Sequence, residues 1–206
     1  MTALLGAILL LAASEGPPQA AEAALSRAAA RYRGAAHASA FEQTYAPAGF
    51  AAARRESGTV WIQPPGRLRF DYAAPDQKVF TYEDGEGRFY SPEDRQLTIK
   101  KLSADEQARL PIVFLRDPAE LARAYAISEE DSEAGVERVI LRPRAPRPEL
   151  VWLRLTIAAD GAVRELSYED DGGNRTAFRF ESWRAEKPRP ESDFRVAGPA
   201  GTRIVQ

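Results

Sequence analysis

The chain has 206 residues, 44% of them hydrophobic and 28% charged, a composition that suits one folded domain and argues against disorder. Its 28 basic and 30 acidic side chains leave a formal net charge of −2, which excludes the global positive field that gathers nucleic acid. The absence of cysteine excludes disulfides, thiolate catalysis and zinc-thiolate sites together, and the one histidine, His37, reads as an ordinary strand residue because a metal ligand or a catalytic base needs partners.

Residues 3–13 are almost wholly apolar and are followed by Ser14, Pro17-Pro18 and the small residues Ala20 and Ala21. Such a run is too short to span a membrane, which takes about 20 apolar residues, and it reads as the hydrophobic region of a secretory signal. Residues 1–21 are therefore expected to be a signal peptide, with cleavage after Ser14, Ala20 or Ala21; a buried or disordered tail is the other reading. A lipoprotein signal would need a cysteine where Ser14 stands, so no lipid anchor is expected.

From Glu22 the alanine-rich run places Leu25, Ala28, Ala29 and Tyr32 at helical spacing, and Gly34 closes that helix. Strand signals then recur at short intervals: a segment with Phe41 and Tyr45, then 54–63, 67–72, 78–82, 88–90 and 96–100. Pro64-Pro65-Gly66, Ala74-Pro75-Asp76, Asp84-Gly85 and Ser91-Pro92 separate them. In 67–72 the polarity alternates, with Arg67, Arg69 and Asp71 on one face and Leu68, Phe70 and Tyr72 on the other, as in a half-buried antiparallel strand.

The pattern changes at Ser103-Ala104-Asp105-Glu106, a capping-box signal for a helix running into Leu110, and again at Asp117-Pro118, a cap followed by proline at the first helical position. Between these two short helices lies Pro111-Ile112-Val113-Phe114-Leu115, either plain core or a lid over an apolar cavity. Strands resume at 125–128, 136–142, 150–157, 163–168 and 175–183, and a last short one is expected at 193–196. Acidic runs such as Glu129-Glu130-Asp131 lack the alternating ligands of a calcium loop and read as solvated turns. Arg138, Arg142, Arg144 and Arg147, interleaved with prolines, read as a basic loop open to an acidic partner or to headgroups. No nucleophile elbow, phosphate loop, dinucleotide fingerprint or zincin motif occurs, so no enzyme, metal site or cofactor is expected.

From about Ser39 to Val205 the order of motifs resembles the periplasmic outer-membrane lipoprotein carrier family, LolA. Phe41-Glu42-Gln43 is similar to the family's early strand motif, and Gly58-Thr59-Val60-Trp61 followed by Pro65-Gly66-Arg67-Leu68-Arg69-Phe70-Asp71-Tyr72 resembles its most recognisable segment. Asp84-Gly85 with Phe89-Tyr90-Ser91-Pro92, the run 111–115, and Phe194 with Pro199 and Gly201 follow in register. The resemblance implies a mainly β fold with helices: a single-domain, incomplete antiparallel β-barrel over residues 22–206, covered by a helical lid inserted at about 103–125. It implies a soluble periplasmic carrier that binds the acyl chains of lipoproteins in an apolar cavity, taking them from an inner-membrane ABC exporter to an outer-membrane receptor. A monomer is expected, with no affinity for nucleic acid. A carrier of another amphiphile, or a lipid-sensing regulatory domain of the same fold, is the alternative.

By alternation and position, the expected cavity lining is Trp61, Leu68, Phe70, Phe89, Leu153, Leu155 and Phe178, with Ile112, Val113, Phe114, Leu115 and Leu121 in the lid. The family commonly has a lysine or arginine just before the proline of the central turn, which holds the lid shut, and Pro64 occupies that place here. Either Arg67 or Arg69 supplies the latch instead, or there is none. Arg88 also departs from the family's usual aromatic, and the tail after Gly201 is short.

Overall fold

Strands β2 (Arg54–Gln63) and β3 (Arg67–Ala74) form the hairpin about which the sheet is built. The computed structural model describes residues 18–130 and 135–206. Val60 pairs with Phe70 and Ile62 with Leu68, all four buried, whereas Trp61 pairs with Arg69 on the opposite face. Paired residues share a face, so this register settles the direction of every side chain in both strands. The ladder shifts between Ser57 and Gly58, and a Cβ at Gly58 would lie 2.0 Å from the backbone oxygen of Asp71. Only glycine permits that bulge.

From this hairpin the chain continues through β4 (Lys78–Glu83), β5 (Glu86–Ser91) and β6 (Gln96–Lys101), while β1 (Ala36–Ala46) lies on the other side of β2. A second meander, β7 (Tyr125–Glu130), β8 (Val136–Pro143), β9 (Trp152–Ala158), β10 (Val163–Glu169) and β11 (Arg175–Phe180), joins the first where β11 pairs antiparallel with β1. The result is one open sheet ordered β13-β6-β5-β4-β3-β2-β1-β11-β10-β9-β8-β7. β12 (Arg184–Glu186) pairs with the free end of β1, and β13 (Arg203–Val205) adds in parallel to β6. The sheet is not closed.

That strand order places the insertion. α2 (Ala104–Ala108), a short 3-10 helix (Pro111–Leu115) and α3 (Pro118–Ala124) connect β6 to β7, which lie in the two outer parts of the sheet. A twisted sheet curls its margins toward each other, so this connection crosses the concavity. Beneath it runs α1 (Pro18–Tyr32), whose Leu25, Ala28 and Tyr32 are buried together with Phe114, Leu121 and the inward residues of β8 and β9 in one core. The Tyr32 hydroxyl accepts from the Val163 N–H at 3.1 Å, and the Trp183 indole donates to the Val163 carbonyl at 2.8 Å, which satisfies the polar tips of both rings inside that core.

Three expectations are corrected. The helix is already formed at Pro18 rather than at Glu22, and Ala21 is buried within it; most of the expected signal peptide lies outside the described residues. The strand expected over 175–183 ends at Phe180, and the chain re-pairs with β1 only from Arg184. The strand expected at 193–196 is a 3-10 helix, Glu191–Phe194. The Asp193 and Arg195 amides are taken up locally by the Pro190 and Ser192 carbonyls, and the Asp193 carbonyl accepts from Arg69 Nη1 at 2.6 Å.

Candidate lipid-binding cavity

The inward faces of β3, β4, β5 and β11 bring aromatic rings from distant parts of the chain to one place. Phe70 lies 5.5 Å from Phe178 and 6.5 Å from Phe80, centroid to centroid, and Tyr72 lies 5.8 Å from Phe70. These rings, with Phe89 and Tyr168, wall a cavity of about 380 Å³ whose lid side is Leu102, Leu110 and Pro111. Its margin is polar, contributed by Gln43, Glu56, Lys78, Glu106 and Arg109. An apolar interior with a few placed polar groups is the usual anatomy of a small-molecule site.

Of the residues expected to line the cavity, the structure brings Phe70, Phe89 and Phe178 together at it. Leu68, Leu153 and Leu155 share the concave face but are wholly buried in the core that includes α1 and the lid. Trp61 lies on the outer face, where the Arg189 guanidinium sits 4.0 Å over its ring; it does not line the cavity, because its pairing with Arg69 fixes it opposite Val60 and Ile62. In the lid, Val113, Phe114 and Leu121 are buried, and Ile112 and Leu115 pack partly buried against the same core. Tyr72, Phe80 and Tyr168 were not among the expected lining. The parity of Phe70 on β3 was the available signal for Tyr72, whereas Phe80 and Tyr168 required the pairing of β3 with β4 and of β10 with β11.

The expected latch residues do not touch the lid. Arg67 pairs with Glu83 and, at 3.5 Å, with Glu191, while Arg69 bonds Asp71 and the Asp193 carbonyl. Both point to the outer face and fasten the C-terminal segment onto the sheet, since the alternation that turns Leu68 and Phe70 inward turns them out. The turn at Pro65 and Gly66 does face the lid, across a second cavity of about 470 Å³ shared with Ile112, Val113 and Leu115.

The lid is held from both arms of the sheet. Arg147, in the loop between β8 and β9, donates to Asp105 of α2 at 2.9 Å, and Arg109 just past α2 pairs with Glu149. Arg144 donates through Nε to the Ala122 carbonyl of α3 at 3.1 Å, capping a helix end. On the near arm the Tyr82 hydroxyl donates to Gln107 Oε1 at 2.8 Å. Phe114 is the apolar anchor, with its ring 5.0 Å from Tyr32 and 6.3 Å from Trp183. The basic, proline-broken loop is thus partly a lid clamp rather than a wholly open surface.

Local electrostatics reinforce α2. Glu106 accepts from Lys100 at 2.6 Å and from the Ser103 N–H at 2.9 Å, and Ser103 Oγ accepts from the Glu106 N–H at 3.2 Å, the reciprocal capping box. Those hydrogen bonds hold the Glu106 carboxyl below the usual range. Burial pushes the Tyr72 phenol up, so its hydroxyl remains a proton donor. Among the described residues no helix is long and apolar enough to cross a membrane, and no cluster of three or more His, Cys, Asp and Glu side chains is arranged to hold a metal ion.

Comparison with known proteins agrees with this architecture. The outer-membrane lipoprotein carrier protein of Xanthomonas axonopodis pv. citri (strain 306) is 29% identical over 163 residues, 72% of this chain and 71% of that protein. The protein of the same description from Xanthomonas campestris pv. campestris (strain B100) is 27% identical over 179 residues, 80% of this chain and 79% of that one. Among solved structures, an uncharacterized conserved protein from Thermus thermophilus shares the fold with a TM-score of 0.56 at 13% identity, over 91% of this chain and 99% of that chain. MucB shares it with a TM-score of 0.53 at 17% identity, over 91% of this chain and 66% of that chain. The model of the family described as outer membrane lipoprotein carrier protein LolA matches residues 35–197, which take in β1 to β12 and the whole lid, and the chain belongs to that family.

Proposed function

We propose that the protein is a periplasmic carrier that holds the acyl chains of lipoproteins between its open sheet and its lid, and moves them from an inner-membrane ABC exporter to an outer-membrane receptor. One observation carries this reading: the aromatic-walled cavity lies where the β6–β7 insertion crosses the concave face. Family membership and the carrier names of the relatives support it. The energetics fit as well. Each methylene kept from water is worth about 0.8 kcal/mol, so a multiply acylated protein cannot cross an aqueous space unless something covers its chains.

A cavity of about 380 Å³ is in the range suited to one small ligand, so loading several acyl chains requires α2, the 3-10 helix and α3 to lift. The clamps on the lid are consistent with that motion, because half-exposed ion pairs contribute only about 0.2–1 kcal/mol each and are readily exchanged. The protein performs no chemistry on its cargo and works as a monomer without an anchor. Export is followed by cleavage after Ser14, the one expected site that leaves α1 whole.

The test is mass spectrometry of lipids and lipoproteins copurifying with the periplasmic protein, with N-terminal sequencing of the same sample. Triacylated lipoprotein bound in a one-to-one complex is the expected result. A different amphiphile in the cavity would instead indicate the alternative carrier or sensor role, and recovery without any apolar ligand, together with no uptake of an added lipopeptide, would overturn the reading.

A further inference from the structure

The cavity wall contains a side-chain amide whose donors make no bond to the described residues. Gln43, on the inward face of β1, sits beside Phe178 of β11 and Glu56 of β2 in the sheet register. Its side-chain carbonyl accepts from the Tyr72 hydroxyl at 2.7 Å. That bond fixes the amide plane and leaves the amide nitrogen, with two N–H donors, as the remaining polar end. The nitrogen has no hydrogen-bond partner among the described residues, yet Gln43 is half-buried at the lining of an aromatic pocket. Solvent reaches these donors, and a ligand acceptor gains by taking the place of that water where acyl chains cover the site.

The neighbouring charges narrow the ligand. Lys78 lies 4.7 Å over the Tyr72 ring and 5.9 Å from the Phe89 ring, and is paired with Glu56. The cation next to Gln43 is therefore already neutralised, Arg109 on the lid side is paired with Glu149, and an anionic group at Gln43 would meet the Glu56 carboxylate. A neutral acceptor suits the position. Apolar chains leading from such an acceptor would lie against Phe70, Phe80 and Phe178.

Resting on the carrier reading above, we propose that Gln43, oriented by Tyr72, is a carbonyl-binding station that hydrogen-bonds an ester or amide carbonyl at the head of an acyl chain, setting the depth at which the cargo's chains enter the cavity. The ligand class is an acyl ester or acyl amide, distinguished from an alkyl chain of equal length that lacks the carbonyl.

The experiment measures binding of two fluorescent probes by the full chain: a dipalmitoylated cysteinyl lipopeptide and an analogue of the same charge in which ether links replace its two ester carbonyls. One neutral hydrogen bond corresponds to a preference of roughly two- to tenfold for the carbonyl probe in the unsubstituted protein. Gln43→Leu is expected to abolish that preference, so that the two probes bind alike, and Tyr72→Phe, which retains the ring and frees the amide, to reduce it. An undiminished preference in folded Gln43→Leu would overturn the station. Should that variant fail to fold, Tyr72→Phe decides by the same criterion. The carrier reading fails separately if the unsubstituted protein takes up neither probe. Dipalmitoyl phosphatidylethanolamine as competitor identifies the source of the carbonyl: stronger binding of it than of the lipopeptide keeps the station but assigns it to phospholipid and removes lipoprotein as the cargo.

Discussion

Arg147 and Asp105 stand 42 positions apart in the chain, and their 2.9 Å ion pair ties the first helix of the lid to the loop between β8 and β9. Together with Arg109 and Glu149 it bridges the insertion to the arm of the sheet that the insertion leads into. These side chains are about a quarter to a half exposed, so each pair is worth about 0.2–1 kcal/mol and is weakened by salt. The double variant Arg109→Ala with Arg147→Ala is expected to raise amide exchange across 104–124 by roughly two- to thirtyfold, the product of two such pairs. High salt is expected to produce most of the same change in the unsubstituted protein. Exchange that stays the same in the double variant would show that the pairs do not restrain the lid.

Phe114 is the lid's main apolar contact, wedged against Tyr32 and Trp183. Phe114→Ala is expected to cost about 3–5 kcal/mol at that contact, the usual range for emptying a buried aromatic site. Because the lid is an excursion from the sheet, the loss should appear first as protease cleavage within 104–124, ahead of any comparable fall in the unfolding midpoint. A midpoint that falls in step with the cleavage rate would show that lid and sheet open as one unit.

Gly58 and Gly34 separate two uses of glycine. A Cβ at Gly58 would collide with the Asp71 backbone, whereas one at Gly34 meets nothing within 4 Å. Gly58→Ala is expected to destabilise by about 1–3 kcal/mol because backbone must move. Gly34→Ala is expected to fall within about 0.5 kcal/mol of the starting stability. Urea unfolding of the two variants measures the difference, and equal midpoints would contradict the bulge geometry.

Glu83 is buried, and burial alone would raise its pKa; hydrogen bonds from Arg67 and from Arg195 Nε, the latter at 2.6 Å, outweigh this and lower it. With the folded pKa below the unfolded one, the contribution is fully present above the ordinary glutamate range near about 4.3 and is lost as the pH falls through the folded pKa. Glu83→Gln is thus expected to lower the urea midpoint at pH 7 and to flatten the acid-side slope, so that the two proteins converge as the pH falls through the folded pKa. Parallel curves over that range would mean that Glu83 is not the group responsible.

Phe89 is 37% exposed at the cavity margin, so its removal tests binding without emptying the core. Phe89→Ala is expected to leave the unfolding midpoint unchanged and to weaken acyl-probe binding by roughly fivefold, the equivalent of about 1 kcal/mol of lost apolar cover. Unchanged affinity would place the chains elsewhere.

The strands, the turns between them and the interruption by two capped helices were legible from local chemistry. Alternation in Arg67 to Tyr72, the capping box at Ser103 and the Asp117-Pro118 start each act within a few residues, so the sequence carries them directly. The tertiary structure decided what depends on pairing. Thr59 to Ile62 show no alternation of their own, and only the register with β3 turned Trp61 outward. Arg67 and Arg69 went with it to the outer face, and there they fasten the C-terminal segment instead of the lid. The clamp that does hold the lid arises because the sheet curls, bringing the loop of one arm over a helix that follows the other. No local pattern encodes a contact between residues 105 and 147, because it exists only once both arms have closed around the cavity.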